Sequence, residues 1–273
     1  MKRYKVGVVG ASLYIGKSIL KKIIDENFPY SFIRAISYEE NNKEIKVGDY
    51  NFSSNKLSIE SLKDLDLIII IKDKVDLQEY IDYLNEKQKT YYLINNSLDE
   101  NDNKTSDLII KGIINDIEII NKEEIVFNCA LELGDQGLIE LNNQFIDYFN
   151  NRPLITSTPK INNHPVPLAF NLIPIVRENK LQFYIPSFYV NALILRIYCK
   201  DTSILEDKIR NNQNIKIYDK NLPSLFDAEG NDLIHIGIID KKIDNISLFV
   251  TYDYTKIIIN NLYKEIKVRI IND

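Results

Sequence analysis

The first twenty-four residues constrain the fold more than any other stretch. Tyr4, Val6, Val8 and Val9 fall in a short apolar run that ends at Gly10. Its length, its valines and the glycine after it favour a buried strand over a helix. From residue 15, Ile15, Ile19, Leu20, Ile23 and Ile24 recur at helical spacing and share one face. Between the two lies the turn Gly10-Ala11-Ser12-Leu13-Tyr14-Ile15-Gly16, bracketed by glycines. A strand, a glycine turn and a helix in this order form the phosphate-binding end of a dinucleotide fold. The amide groups and dipole of the helix start favour an anionic pyrophosphate there. The usual fingerprint has a middle glycine so that backbone and phosphate can approach closely, and Leu13 stands at that position.

The 273 residues are 45% hydrophobic and 27% charged, enough for two modest domains with their own cores. The net charge of -5 gives no electrostatic case for nucleic acid or an anionic membrane. The longest apolar run, residues 67–71, is far too short to span a bilayer. The N-terminus enters a strand without the apolar stretch of a secretory signal, which predicts a cytoplasmic protein. Cys129 and Cys199 are then expected as reduced thiols.

Residues 1–128 alternate strand and helix patterns. Strands are expected over 32–37, 67–71, 91–94 and 125–127, a hairpin over 43–52, and a helix over 76–87. This rhythm predicts a Rossmann-like, doubly wound parallel sheet. Ligands bind at the carboxyl ends of such strands. Ser37, after the second strand, and Asn95, in the loop 95–97, join residues 10–16 as candidate cofactor contacts. A polar linker is expected over 99–106. At Asn128 and Cys129 the character changes. A helix over 138–149 is followed by strands over 154–158, 181–185, 190–198, 215–218, 233–239 and 246–252, with helices over 203–211 and 255–266. The expected division is a dinucleotide-binding domain over 1–128 and a smaller α+β dimerisation or catalytic-type domain over 129–252. The C-terminal helix, 253–273, is expected to pack back on the first domain.

Several stretches together resemble the aspartate-semialdehyde dehydrogenase family. They are the opening strand and turn, residues 5–12; Asn27-Phe28-Pro29; the loop Ile94-Asn95-Asn96-Ser97; Asn128-Cys129; residues 167–174, close to the family's "AFN–IP" segment; and Leu222-Pro223 with Asp227-Ala228-Glu229-Gly230. The resemblance implies a homodimer, NADP or NAD as cofactor, and a thiolate that attacks an aldehyde. Hydride then leaves to the cofactor and phosphate releases the acyl group. Such a site needs a low-pKa thiol, a histidine base and an arginine clamping the substrate carboxylate.

Residue by residue, the match is eroded. Cys129 is the candidate nucleophile; a small buried hydrophobe is the plainer reading of the same residue, and both stay open. Tyr184 stands where the resemblance asks for the arginine, and Asn191 where it asks for the histidine. Neither can clamp a carboxylate as a fork nor titrate near neutrality. Pro159 and Lys160 follow Ser157 and Thr158 where tyrosine and glutamine are expected. Only residues 176–180 fill the place of a helix carrying a phosphate-contacting lysine. Tyr38, Glu39 and Glu40 stand where an arginine would hold the extra phosphate of NADP; the acidic pair would repel it but could accept a ribose hydroxyl of NAD. Asp253-Tyr254 replaces a family aspartate–asparagine pair. His164 and His235 are the two histidines, each either a substitute base for Cys129 or a structural group. This pattern is most similar to the family's catalytically degenerate Usg-type paralogues, although those lack the cysteine. Three readings follow: a dehydrogenase-like homodimer with little or no activity, a minimal working dehydrogenase using Cys129, and a non-enzymatic interaction protein.

Overall fold

The computed structural model describes residues 3–38, 43–73, 75–95, 109–113, 118–157, 159–161, 164–177 and 180–272. By Cα proximity the chain divides into two units, residues 1–97 with 262–273, and residues 98–261.

The first unit is built on five parallel strands. They are β1 (Tyr4–Val9), β2 (Tyr30–Ser37), β5 (Asn55–Lys56), β6 (Leu67–Lys72) and β7 (Thr90–Asn95), in the order β5-β2-β1-β6-β7. A separate hairpin, β3 (Glu44–Val47) and β4 (Tyr50–Ser53), lies where alternating polarity predicts it. Both faces of the parallel sheet are covered. Val9, Ile36, Ile68 and Ile70 join Leu62, Leu77 and Leu84 in one core cluster. On the alternate positions Val6, Val8, Ala35, Ile69 and Ile71 are buried as well. This double burial is why residues 67–71 read as an unbroken apolar run. Each such aliphatic side chain contributes about 1.5–3 kcal/mol by leaving water.

The helix α1 (Tyr14–Asp25) buries Ile15, Gly16, Ile19, Leu20 and Ile23. Its seating depends on two glycines. Gly10 has φ of 77°, a left-handed conformation that favours glycine. A Cβ on Gly16 would lie 2.2 Å from the Gly10 carbonyl oxygen, so helix and turn backbones touch directly. At the C-terminal end of the chain, the Tyr263 ring meets Phe28 edge-on at 6.0 Å and Lys267 pairs with Glu26 at 3.2 Å, both within this unit.

The second unit holds a seven-stranded mixed sheet in the order β11-β12-β8-β13-β16-β15-β14. Its strands are β8 (Ile119–Asn128), β11 (Ile173–Arg177), β12 (Lys180–Tyr184), β13 (Val190–Cys199), β14 (Ile215–Tyr218), β15 (Ile234–Lys241) and β16 (Asn245–Asp253). β9 (Lys160–Ile161) and β10 (His164–Pro165) form a small separate pair. The run at 125–127 is the end of the longer β8, which pairs with β12 and β13 in this second sheet. β8, β13, β15 and β16 supply Val126, Leu193, Leu195, Ile197, Cys199, Ile236, Ile246, Leu248, Val250 and Tyr252 to one core. Cys199 is thus a packing residue, and both cysteines are buried free thiols.

Besides the run at 125–127, expected with the first sheet and found in the second, two stretches differ from the sequence reading. Residues 154–157 are not a strand. The carboxylate of Glu140, on the helix Asp135–Phe149, accepts hydrogen bonds from Ser157 N at 2.9 Å and Thr156 Oγ1 at 3.3 Å, so a side chain takes the place of a strand partner. Residues 173–177, in contrast, are a strand: β11 pairs antiparallel with β12 and forms the rim of the sheet, with Pro174 inside it. Only residues 178–179 separate the two strands, which leaves no room for a helix between them. Among the described residues no helix is long and apolar enough to cross a membrane.

The contact at Gly16 sets a test. Gly16→Ala drives a methyl into fixed backbone and is expected to cost about 1–3 kcal/mol or more in denaturant unfolding. Gly7→Ala meets the movable end of Leu65 instead and is expected to cost less.

Candidate active site

In the first unit the candidate cofactor residues gather at the carboxyl end of β1. Gly10 N and Ala11 N both donate to the Ile36 carbonyl, at 2.9 and 3.0 Å, which ties the turn to the end of β2 beside Ser37. Ser37 is buried, and its carbonyl accepts Leu57 N at 2.8 Å. Leu13 occupies the N-cap of α1 with no side-chain cap, and its amide donates to Gly10 O at 3.0 Å. Ser12 and Tyr14 are half-buried and Ile15 is buried in the core. Asn95 ends β7 opposite Lys72, two strand spacings from β1, about 9–10 Å. Glu39, Glu40, Asn96, Ser97, the stretch 99–106 and Thr158 lie outside the described residues.

In the second unit Cys129 follows β8 directly. A four-residue 3-10 turn, Ala130–Leu133, and then Gly134 at φ 77° separate it from the helix Asp135–Phe149. The thiol therefore sits before a short turn and not at the N-terminus of the long helix. Cys129 has no exposed surface. Its amide donates to Asn191 Oδ1 at 2.8 Å, while Asn191 Nδ2 donates to Glu132 Oε1 and to the Tyr252 hydroxyl at 3.4 Å. Ala130 N and Leu131 N donate to the carbonyls of Ser187 and Phe188. Burial pushes the Cys129 thiol well above its ordinary range. The charge of Glu132, and less so that of Asp253, acts the same way, and backbone amides at Glu132 and Leu131 oppose them incompletely. A reactive thiol requires the opposite environment.

His235 is not placed to act as a base for Cys129. His235 pairs in register with Thr251, and Thr251 with Ala192; Asn191 pairs with Tyr252. Neighbouring residues on a strand face opposite ways. His235 therefore lies on the sheet face opposite the Asn191–Tyr252 cluster. Its ring is fully buried, with Nδ1 2.9 Å from the Tyr218 hydroxyl, and burial lowers its pKa, helped by Lys216. Only the backbone of His164, in β10, is described.

Tyr184 is buried in an apolar cluster with Ala130, Leu141, Leu168, Ala169 and Ile173. Asp253 accepts Gly230 N at 2.9 Å and Lys256 N at 3.0 Å, so it anchors the 227–230 loop and the start of the helix Tyr254–Asn272. Glu132 is the residue that sequence reasoning missed. Nothing in its local pattern distinguishes an acid buried beside a thiol from one on a turn. Among the described residues no cluster of histidine, cysteine and carboxylate side chains could hold a metal ion.

No protein-family model matches the chain, and no curated protein matches it in sequence. Solved structures match it over nearly its whole length. Aspartate semialdehyde dehydrogenase II from Vibrio cholerae, in a crystal structure complexed with ASA, superposes with a TM-score of 0.80 at 15% identity, covering 98% of this chain and 99% of that one. A probable aspartate-semialdehyde dehydrogenase from Pseudomonas aeruginosa gives 0.76 at 13% identity, with 96% and 98% covered. The enzyme from Francisella tularensis gives 0.72 at 14%, with 95% and 99% covered. The chain has the two-domain α/β fold of these proteins.

The sealed thiol predicts its own chemistry. In native protein at pH 7–8, intact-mass measurement after iodoacetamide treatment is expected to find Cys129 unmodified. Labelling should rise on unfolding or at pH well above 9. Rapid native modification at neutral pH would contradict the buried, acid-flanked environment.

Proposed function

We propose that the chain is an aspartate-semialdehyde dehydrogenase-like cytoplasmic homodimer with an eroded active site. It has little or no semialdehyde dehydrogenase activity, and its affinity for NADP or NAD is weakened or lost. Asn191 carries this reading. It stands where the resemblance asks for a histidine base, and its carboxamide is committed to Cys129 N, Glu132 and Tyr252. A carboxamide cannot take the proton from a thiol. The same surroundings keep Cys129 protonated, so the attacking thiolate of the family's first step is scarce. Tyr184, in place of the arginine, is part of the hydrophobic core. Loss of a positioned base alone typically lowers rate by about 10²–10⁴-fold.

Exposed apolar side chains of the second unit support the homodimer. On the helix Asp135–Phe149, Ile139 and Ile146 stand two turns apart on one face with Phe149 close by, and Phe149 is 75% exposed. Phe170, 58% exposed, packs edge-on against Phe145 of the same helix. Surface of this kind marks association sites.

The decisive assay is phosphate-dependent reduction of NADP or NAD with aspartate semialdehyde, beside a Cys129→Ala control. The expected result is no difference between the two proteins. Activity that disappears in the control would establish the minimal working enzyme instead. In sedimentation velocity the native chain is expected as a dimer and Phe149→Asp as predominantly monomer. An unchanged dimer would place the interface elsewhere.

A further inference from the structure

In the first unit the crevice that would take a dinucleotide lies at the carboxyl ends of β2, β1 and β6. The chain runs from β1 to β2 on one side, and β6 flanks β1 on the other. The gap between β1 and β6 is therefore the point where strand order reverses, the place at which open α/β sheets hold nucleotides. Two side chains of this protein reach that place.

Tyr38 directly follows β2. Its hydroxyl donates to the Ile71 carbonyl of β6 at 2.5 Å. In the register of the sheet Ile36, Val9 and Ile70 lie side by side, so β1 stands between Tyr38 and its acceptor. The phenol must cross the carboxyl end of β1 to reach it. Its ring also packs on the cluster that holds Val9, Ile36, Ile70 and Leu77, so the side chain is anchored at both ends. Leu13 arrives from the helix side. A Cβ built on Gly10 would lie 3.1 Å from the Ile71 carbonyl oxygen and 3.1 Å from Leu13 Cδ1. The leucine side chain thus folds back over Gly10 towards the carbonyl that Tyr38 holds. Tyr38, Leu13, Gly10 and Ile71 converge at the spot where a glycine-rich turn must be open to a pyrophosphate, and where the residue after the second strand would meet the ribose. As they stand, these residues do not fit a dinucleotide.

We propose that Tyr38 and Leu13 form an internal plug that holds a dinucleotide out of the crevice of the first unit. The proposal deepens the reading above and rests on its assignment of the crevice as the ancestral nucleotide site. Tyr38 is the latch, because one hydrogen bond spans the opening. Leu13 is the filler, because it removes the space that a middle glycine would leave.

The test is equilibrium binding of NAD and NADP to the full chain by isothermal titration calorimetry, comparing native protein with Leu13→Gly/Tyr38→Ala. The native protein is expected to give no saturable binding at millimolar nucleotide, and the double variant to bind at least tenfold more tightly. Equal binding by the two proteins, or no binding by a folded double variant, overturns the plug. If the double variant fails to fold, Tyr38→Phe removes only the bond to Ile71. Tighter binding than native then supports the latch, and unchanged binding overturns it. The degenerate-site reading fails by a different result, native semialdehyde oxidation above the Cys129→Ala control, so the two failures are distinct.

Discussion

A buried peptide N–H must find an acceptor, and at Cys129 that acceptor is the side chain of Asn191. The surroundings of the thiol follow from this bond. It ties the end of β8 to the start of β13, the strand at the centre of the seven-stranded sheet, and it fixes where the turn Ala130–Leu133 begins. With its oxygen engaged, the carboxamide has only donors to offer, and these draw Glu132 and Tyr252 into the same dry space. An acid held beside the cysteine then works against a thiolate. A titratable ring could not serve this bonding pattern and also exchange protons with the thiol. Asn191 is thus held in a structural role.

Both units tie the residues at their candidate sites into internal contacts. In the second, Tyr184 lies among aliphatic side chains and Asp253 anchors two backbone amides. In the first, the Tyr38 hydroxyl holds the Ile71 carbonyl and the Leu13 side chain lies against Gly10. Internal contacts of this kind are ones that packing and hydrogen-bond satisfaction both favour in the folded state.

Much of this fold was legible because its signals are local. The valine strand, the bracketing glycines and the α1 stripe each state a periodicity, and the parallel sheet follows from the unbroken run at 67–71. The site was legible only as substitutions. Asn191 and Tyr184 could be seen to lack the needed chemistry, yet what they do instead depends on partners far along the chain. Asn191 acts on residues 59 to 62 positions away, and Tyr38 reaches 33 positions, across an intervening strand. Residues 154–157 misled for the same reason. Their β-branched composition suits a strand, but Glu140, 17 positions before Ser157, takes the amide that a ladder would need.

The rim of the larger sheet has a consequence of its own. Among the described residues β11 is bonded to β12 alone, and Pro174 lies within it. A strand containing proline cannot serve in the interior of a sheet without losing a rung of the ladder. Pro174 has no N–H to give, so a ladder through β11 lacks one donor. Proline on a rim strand is one of the devices that blunt a sheet edge against edge-to-edge pairing with another chain.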